Sequence, residues 1–316
     1  MLKRLLIFLF LIYSSIYSES FLGPLKIKNQ YMFYLPYLFI PSESYFDYKP
    51  EIRCSFYKSN TFLSYFSMDY RGIIDLETSV LTGEYVYYLS DFKFTLSLSY
   101  VYDGGGYLDP IIEGFHHAFG LRNGGRHTWG TNKMYVWFEE KNILINKAVY
   151  GFSDPSIYVS KELISINPYI VYTVGFKPNI YSNSIINTSS WDFGNYLSFN
   201  YFWSDIFLYS GFGFVFIVGN DFYKKYFYRK RDFILNFNIG SGIKIIDGIS
   251  FIINFYFQRS PYSSNISRID SLSIVNSYGF RIEINKDITF QFSADEDSFT
   301  FSTTDIGFNF NFEFKL

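Results

Sequence analysis

The closing stretch TDIGFNFNFEFKL sets Ile306, Phe308, Phe310, Phe312, Phe314 and Leu316 at alternate positions, with Gly307, Asn309, Asn311, Glu313 and Lys315 between them. An extended chain turns successive side chains to opposite faces, so a period of two describes a strand with one apolar and one polar face. The period recurs. In residues 92–102 the even positions are Phe92, Phe94, Leu96, Leu98, Tyr100 and Tyr102, and Lys93, Thr95, Ser97, Ser99 and Val101 stand between them. It returns in Phe233, Leu235, Phe237 and Ile239, and in Tyr278, Phe280, Ile282 and Ile284. After residue 20 there is no apolar run of the roughly 20 residues that a helix needs to cross about 30 Å of hydrocarbon. Strands are then the only regular structure with which this chain can cross a bilayer.

Alternation alone also fits a soluble sandwich of two sheets. Two features favour a barrel in lipid. Several alternating runs reach about 10 to 14 residues, where sandwich strands run about 5 or 6, and the polar face is Asn, Ser, Gly and Thr as often as charge. Aromatic residues make up 23% of the chain, with 39 Phe and 31 Tyr, yet the mean hydropathy is only +0.04, as even mixing of apolar and polar positions requires. Short turns are expected near Ser90 and Asp91, Lys141 and Asn142, Asn167 and Pro168, Ser204 and Asp205, Asp247 and Gly248, and in residues 285–287. Longer connections are expected near 60–73, 103–131, 148–154, 178–190, 218–231, 259–272 and 295–303. Short turns alternating with long loops are the habit of outer-membrane barrels. The fold class expected is all-β: a transmembrane antiparallel β-barrel of about 14 strands, with a short helix in an external or lumen-folded loop. Twelve strands is the alternative count, because residues 52–58 and 143–147 mark strands weakly. Trp203, beside a short turn, fits an interfacial aromatic girdle.

The N-terminus reads as a secretory signal peptide over residues 1–20: Lys3 and Arg4, an apolar run from Leu5 to Tyr13, then Ser18 and Ser20 at the spacing of a cleavage site. Residues 21–50 form a second segment, aromatic but broken by Pro24, Pro36, Pro41 and Pro50, and so a poor central strand. This segment either plugs the periplasmic mouth or packs beneath it. Residues 51–316 are the barrel. Cys54 is the only cysteine, has no internal disulfide partner and reads as a small packing residue. With 27 basic and 29 acidic residues the chain carries no charge excess that would call for nucleic acid.

GPLKIKNQ at residues 23–30 and YDGGGYLDPIIEGFHHAFGLRNGGR at residues 102–126 resemble an uncharacterised family of bacterial outer-membrane proteins, a domain of unknown function. The resemblance extends over nearly the whole mature chain and implies a barrel fold and an outer-membrane location. Where family members often carry an acidic residue after the first histidine, this chain has His117. The C-terminal strand likewise resembles the signal read by the barrel-assembly machinery, although Leu316 stands where an aromatic residue is usual.

All three histidines fall in residues 116–127. Asp109 is a good N-cap, Pro110 suits the first helical position and Gly120 can end a short helix whose apolar face would be Ile111, Phe115, Ala118 and Phe119. Flanking glycines let such a loop fold into the lumen. The lumen-constriction candidates are Glu113, His116, His117, Arg122 and Arg126. Glu113 and His117 at i and i+4, with His127, are the weaker metal candidates, and His116 or His117 could act as base in a hydrolase. No catalytic residue, metal or cofactor is assigned. Lys224, Lys225, Arg229, Lys230 and Arg231 form a basic loop suited to phosphate-bearing headgroups or to plain solvation. The expected function is a non-enzymatic channel or transporter for a small solute. Its rivals are a hydrolase and a surface-binding barrel with a filled lumen. The expected partners are outer-membrane lipids and the assembly machinery.

Overall fold

The computed structural model describes residues 23–43, 46–66, 71–120, 130–139, 142–181, 185–219, 229–264, 266–296 and 304–316. Twelve strands make one closed antiparallel barrel: β1 (Glu51–Phe66), β2 (Arg71–Leu89), β3 (Phe92–Gly104), β4 (Ser156–Ile164), β5 (Tyr169–Lys177), β6 (Ser190–Trp203), β7 (Ile206–Gly219), β8 (Phe233–Ile246), β9 (Ile249–Gln258), β10 (Ser273–Asn285), β11 (Ile288–Glu296) and β12 (Ile306–Lys315). Each pairs with its neighbours in sequence, and β1 closes on β12 from Glu51 opposite Lys315 to Asn60 opposite Ile306. Closure satisfies every strand's ladder and leaves no edge, which a hydrocarbon solvent demands.

The alternation is turned inside out relative to a soluble protein. Along β3, Phe94 and Leu96 are 36% and 52% exposed on the outer wall, while Lys93 between its apolar neighbours is 2% exposed and points inward. Ser198, Asn309 and Ser277 are likewise buried within, and Phe212, Phe237 and Phe280 stand outside. Trp203 lies exposed on the outer wall next to the turn at Ser204, where an aromatic anchor belongs. Cys54 faces outward too, so it is not the packing residue expected from sequence.

The twelve-strand count is the observed one, and the higher expectation of 14 is corrected. Residues expected to add two barrel strands instead form a hairpin of Tyr135–Phe138 and Ile143–Ile145. It pairs with Gly72–Asp75 at the far end of β2. A four-residue strand cannot span a bilayer, which takes about 9 to 11. β2 can receive it because its 19 residues extend well past the barrel wall. The turn expected at Asn142 is real, with Asn142 donating to the Glu139 carbonyl at 3.1 Å, but it sits at the long-loop end. Another short strand, Val149–Phe152, pairs with Tyr100–Asp103 of β3.

The other short turns join β2–β3, β4–β5, β6–β7, β8–β9 and β10–β11 at one end. Both barrel termini meet there, with the Leu316 amide donating to the Pro50 carbonyl at 2.9 Å. Gly248 takes φ +77° in the two-residue β8–β9 turn, a conformation that suits glycine.

Residues 23–43 occupy the lumen as an inverted hairpin. The first limb climbs from the short-turn end, with the Lys26 amide donating to Gln291 on β11, Gln30 donating to Asn309 on β12 at 2.8 Å and Asn29 donating to Ser273 on β10 at 2.8 Å. The apex turns at residues 31–37 through the Tyr34 and Leu35 amides donating to the Tyr31 carbonyl. The second limb descends past Asp192 and Ser198 of β6, which accept from the Leu38 and Glu43 amides. Tyr31, Phe33, Tyr37 and Leu38 pack with Tyr262, Ile266 and Ile269 of the β9–β10 connection and with Val136 and Phe138 of the outer hairpin. The principal apolar core therefore lies at the long-loop end.

Candidate functional site within the lumen

The lower lumen is polar and charged because inward positions there carry ions that pair across strands. Arg53 of β1 lies 2.7 Å from Glu51 and 3.7 Å from Glu84 of β2, and Arg281 of β10 lies 2.6 Å from Glu313 of β12. Lys93 of β3 clasps Glu43 at the foot of the hairpin. Burial alone would raise the Glu43 carboxyl, but Lys93, Lys26 and Arg53 outweigh it and hold the group at about 2. Higher up, Lys58 lies 2.6 Å from Glu77, and Lys177 of β5 lies 3.3 Å from Asp192.

Between the hairpin and the wall remains a cavity of about 940 Å³, counting the open space at its mouth. The hairpin contributes an apolar side through Leu25, Ile27, Leu35 and Phe39. The wall of β1–β4 contributes hydroxyls, among them Tyr57, Ser97, Ser99 and Ser156. The lining thus offers both hydrocarbon and hydrogen-bonding surface.

The helix α1 (Asp109–Phe119) forms as its sequence predicts and ends at Gly120 with φ +68°. Asp109 accepts from Asn60 of β1 at 2.9 Å and from the Asn132 amide at 2.6 Å, and the Leu108 amide donates to Glu77. These bonds tie the start of the helix to the inner wall at the long-loop end, where Leu108, Asp109 and Ile112 are buried. The buried position is Ile112 rather than Ile111, which is 57% exposed, and Ala118 is exposed too, so the expected apolar face is corrected. The buried N-terminal turn, held by Asp109 and Leu108, sets this orientation. The side chains of Phe115, His116 and Phe119 lie outside the described residues, as do Arg122, Arg126 and His127. Glu113 is half-buried with Oε1 enclosed, one turn before the exposed His117. Among the described residues His117 makes no side-chain hydrogen bond, and no three metal-ligating side chains gather.

Of the basic loop, Lys224 and Lys225 lie outside the described residues, and so do the side chains of Arg229 and Lys230. The backbone of Arg229–Lys230 pairs with Tyr262–Ser263, and the half-buried Arg231 donates to the Ser260 carbonyl at 3.0 Å. Arg231 is therefore bound to the adjoining connection. The residues that sequence reasoning missed are Lys26, Lys28, Glu43, Lys93 and Lys177. Their signal was charge at inward positions, visible for Lys93 once its strand was recognised.

A closed barrel with apolar exterior, polar interior and both termini at the short-turn end is the architecture of bacterial outer-membrane proteins. A family model described as a protein of unknown function, DUF3187, matches residues 2–316. The chain belongs to that family. No match is found among curated proteins. Among solved structures it is similar to the COG4313 outer membrane channel from Pseudomonas putida F1, at 10% identity and a TM-score of 0.56, covering 85% of this chain and 98% of that one. It is also similar to the NanC porin, at 9% identity and a TM-score of 0.45 over 84% of this chain and 100% of that one. For the toluene transporter TbuX of Ralstonia pickettii the values are 8% and 0.44 over 86% and 90%. The first of these supports the barrel fold, and none transfers a solute.

Proposed function

We propose that the chain is a non-enzymatic outer-membrane channel or transporter for a small solute, with the short-turn end in the periplasm. Its lumen is narrowed by the hairpin of residues 23–43 and by the loop that carries α1. Lipid meets the outer wall, and β12 engages the barrel-assembly machinery. The observation that carries this reading is the cavity between hairpin and wall, lined by both hydroxyl and apolar groups inside a closed cylinder.

The test is single-channel conductance in planar bilayers. The full chain is expected to conduct weakly, and removal of residues 104–126 to raise the conductance. An unchanged value removes the constriction role of that loop. The second reading, a surface-binding barrel with a filled lumen, draws on the dense packing of Tyr31, Phe33 and Tyr37 under the β9–β10 connection. It requires zero conductance from both proteins.

A further inference from the structure

Three lysines and two carboxylates line the cavity, and they pair unequally. Lys177 lies 3.3 Å from Asp192 and 3.8 Å from Asp154, and Glu84 is reached by Arg53 at 3.7 Å. Among the described residues no carboxylate lies within ion-pair distance of Lys26 or Lys28. The first limb of the hairpin accounts for their direction. Leu25 and Ile27 are buried against Phe207, Tyr209, Ile252 and Tyr256. An extended chain alternates sides, so the half-buried Lys26 and Lys28 leave the limb on the edge opposite Leu25 and Ile27, and all four side chains border the cavity.

An ammonium confined without a counterion is costly, and Lys28 shows the strain on its charge. Burial, then the like charge of Lys177, bring its amine down to about 8, against a smaller upward pull from Glu84. At neutral pH it remains mostly charged and in want of an anion. The same cavity is bordered by wall hydroxyls at Ser97, Ser99 and Ser156 and by the apolar groups of Leu35 and Phe39. A cavity that offers a cation, hydroxyls and hydrocarbon matches a molecule with a charged and an apolar half.

We propose that this cavity binds a small organic acid with an apolar body, its carboxylate on Lys28 and its hydrocarbon against Leu35 and Phe39. The site rests on the channel reading for its purpose and names the class of solute for it. Hexanoate is the probe, and hexan-1-ol is its uncharged counterpart, each titrated calorimetrically into the full mature chain in detergent. Hexanoate is expected to bind saturably and at least tenfold tighter than hexan-1-ol. Lys28→Gln should weaken hexanoate tenfold or more and Lys28→Arg should retain it, each variant first shown to be folded by its heat-modifiable gel mobility.

Equal binding of acid and alcohol, absence of saturable hexanoate binding, or an unaffected Lys28→Gln protein overturns the site. The comparison of acid with alcohol needs no variant, so it stands even where a substitution prevents folding. Binding is read without current. A conducting chain that ignores hexanoate keeps the channel and loses the site, and a silent chain that binds it keeps the site and loses transport.

Discussion

The pair of Glu43 and Lys93 fixes the foot of the lumenal hairpin, and its worth can be reached from two directions. Glu43 is 5% exposed and Lys93 is 2% exposed, so neither finds water if the other is removed. Breaking a buried ion pair by deleting one partner costs about 3–5 kcal/mol, because the remaining charge is left uncompensated. Independently, a carboxyl held at about 2 instead of 4.5 gains about 3 kcal/mol from its surroundings, at 1.36 kcal/mol per tenfold change. Lys26 and Arg53 still act on Glu43 when Lys93 is gone, which places the expected cost of Lys93→Met near the lower end, about 3 kcal/mol.

Local opening of the hairpin should therefore rise about 100-fold, read as faster amide hydrogen exchange at Leu38 and Glu43 while the strand amides of β7 and β8 stay protected. The double variant Glu43→Gln with Lys93→Met should recover most of the loss, since neither member of the pair is then left charged opposite a neutral partner. The sign with pH follows from the depressed carboxyl: the contribution is complete above about 4.5 and is lost as pH falls toward about 2. Exchange that changes less than fivefold in Lys93→Met, or a double variant no better than the single, would refute the assignment of this pair as the anchor.

Two further outcomes test the fold around the site. A Cβ at Gly194 would stand 2.7 Å from Ile40 Cδ1 and 2.8 Å from the Phe214 carbonyl, so Gly194→Val should displace Ile40 and speed exchange in the second limb, whereas Gly83→Val, with open space around it, should not. Leu96→Arg places a charge on the outer wall and should cost about 2–4 kcal/mol in urea unfolding from bilayers if the residue lies near the midplane; a neutral effect would mean that this face does not meet lipid.

What the sequence revealed follows from which interactions have a local period. Each wall strand shows its two faces within a few residues, so β3 and β12 were legible from Phe92 and Ile306 onward, and the turns at Ser90, Ser204 and Gly248 were legible with them. Residues 135–145 misled for the same reason. Val136 and Phe138 are buried and Tyr135 and Trp137 less so, the same local pattern that a wall strand shows, and only the partner on β2 reveals that the hairpin stands beyond the wall.

The helix start was readable because Asp109, Pro110 and Gly120 act locally, but its buried face depends on Asn60 and Glu77, which are distant in sequence. Residues 23–43 carry no long period at all. Their place is set by single bonds to β6, β10, β11 and β12, each more than 150 residues away. That arrangement also has a physical logic. A barrel in lipid spends its apolar residues outward, so its inner wall cannot supply a large core, and the hairpin's larger set of apolar neighbours stands where the chain rises above the bilayer. It finds most of them in Tyr262, Ile266, Val136 and Phe138, while lower down Leu25 and Ile27 meet a smaller patch of Phe207, Tyr209, Ile252 and Tyr256 beside the ions, hydroxyls and cavity.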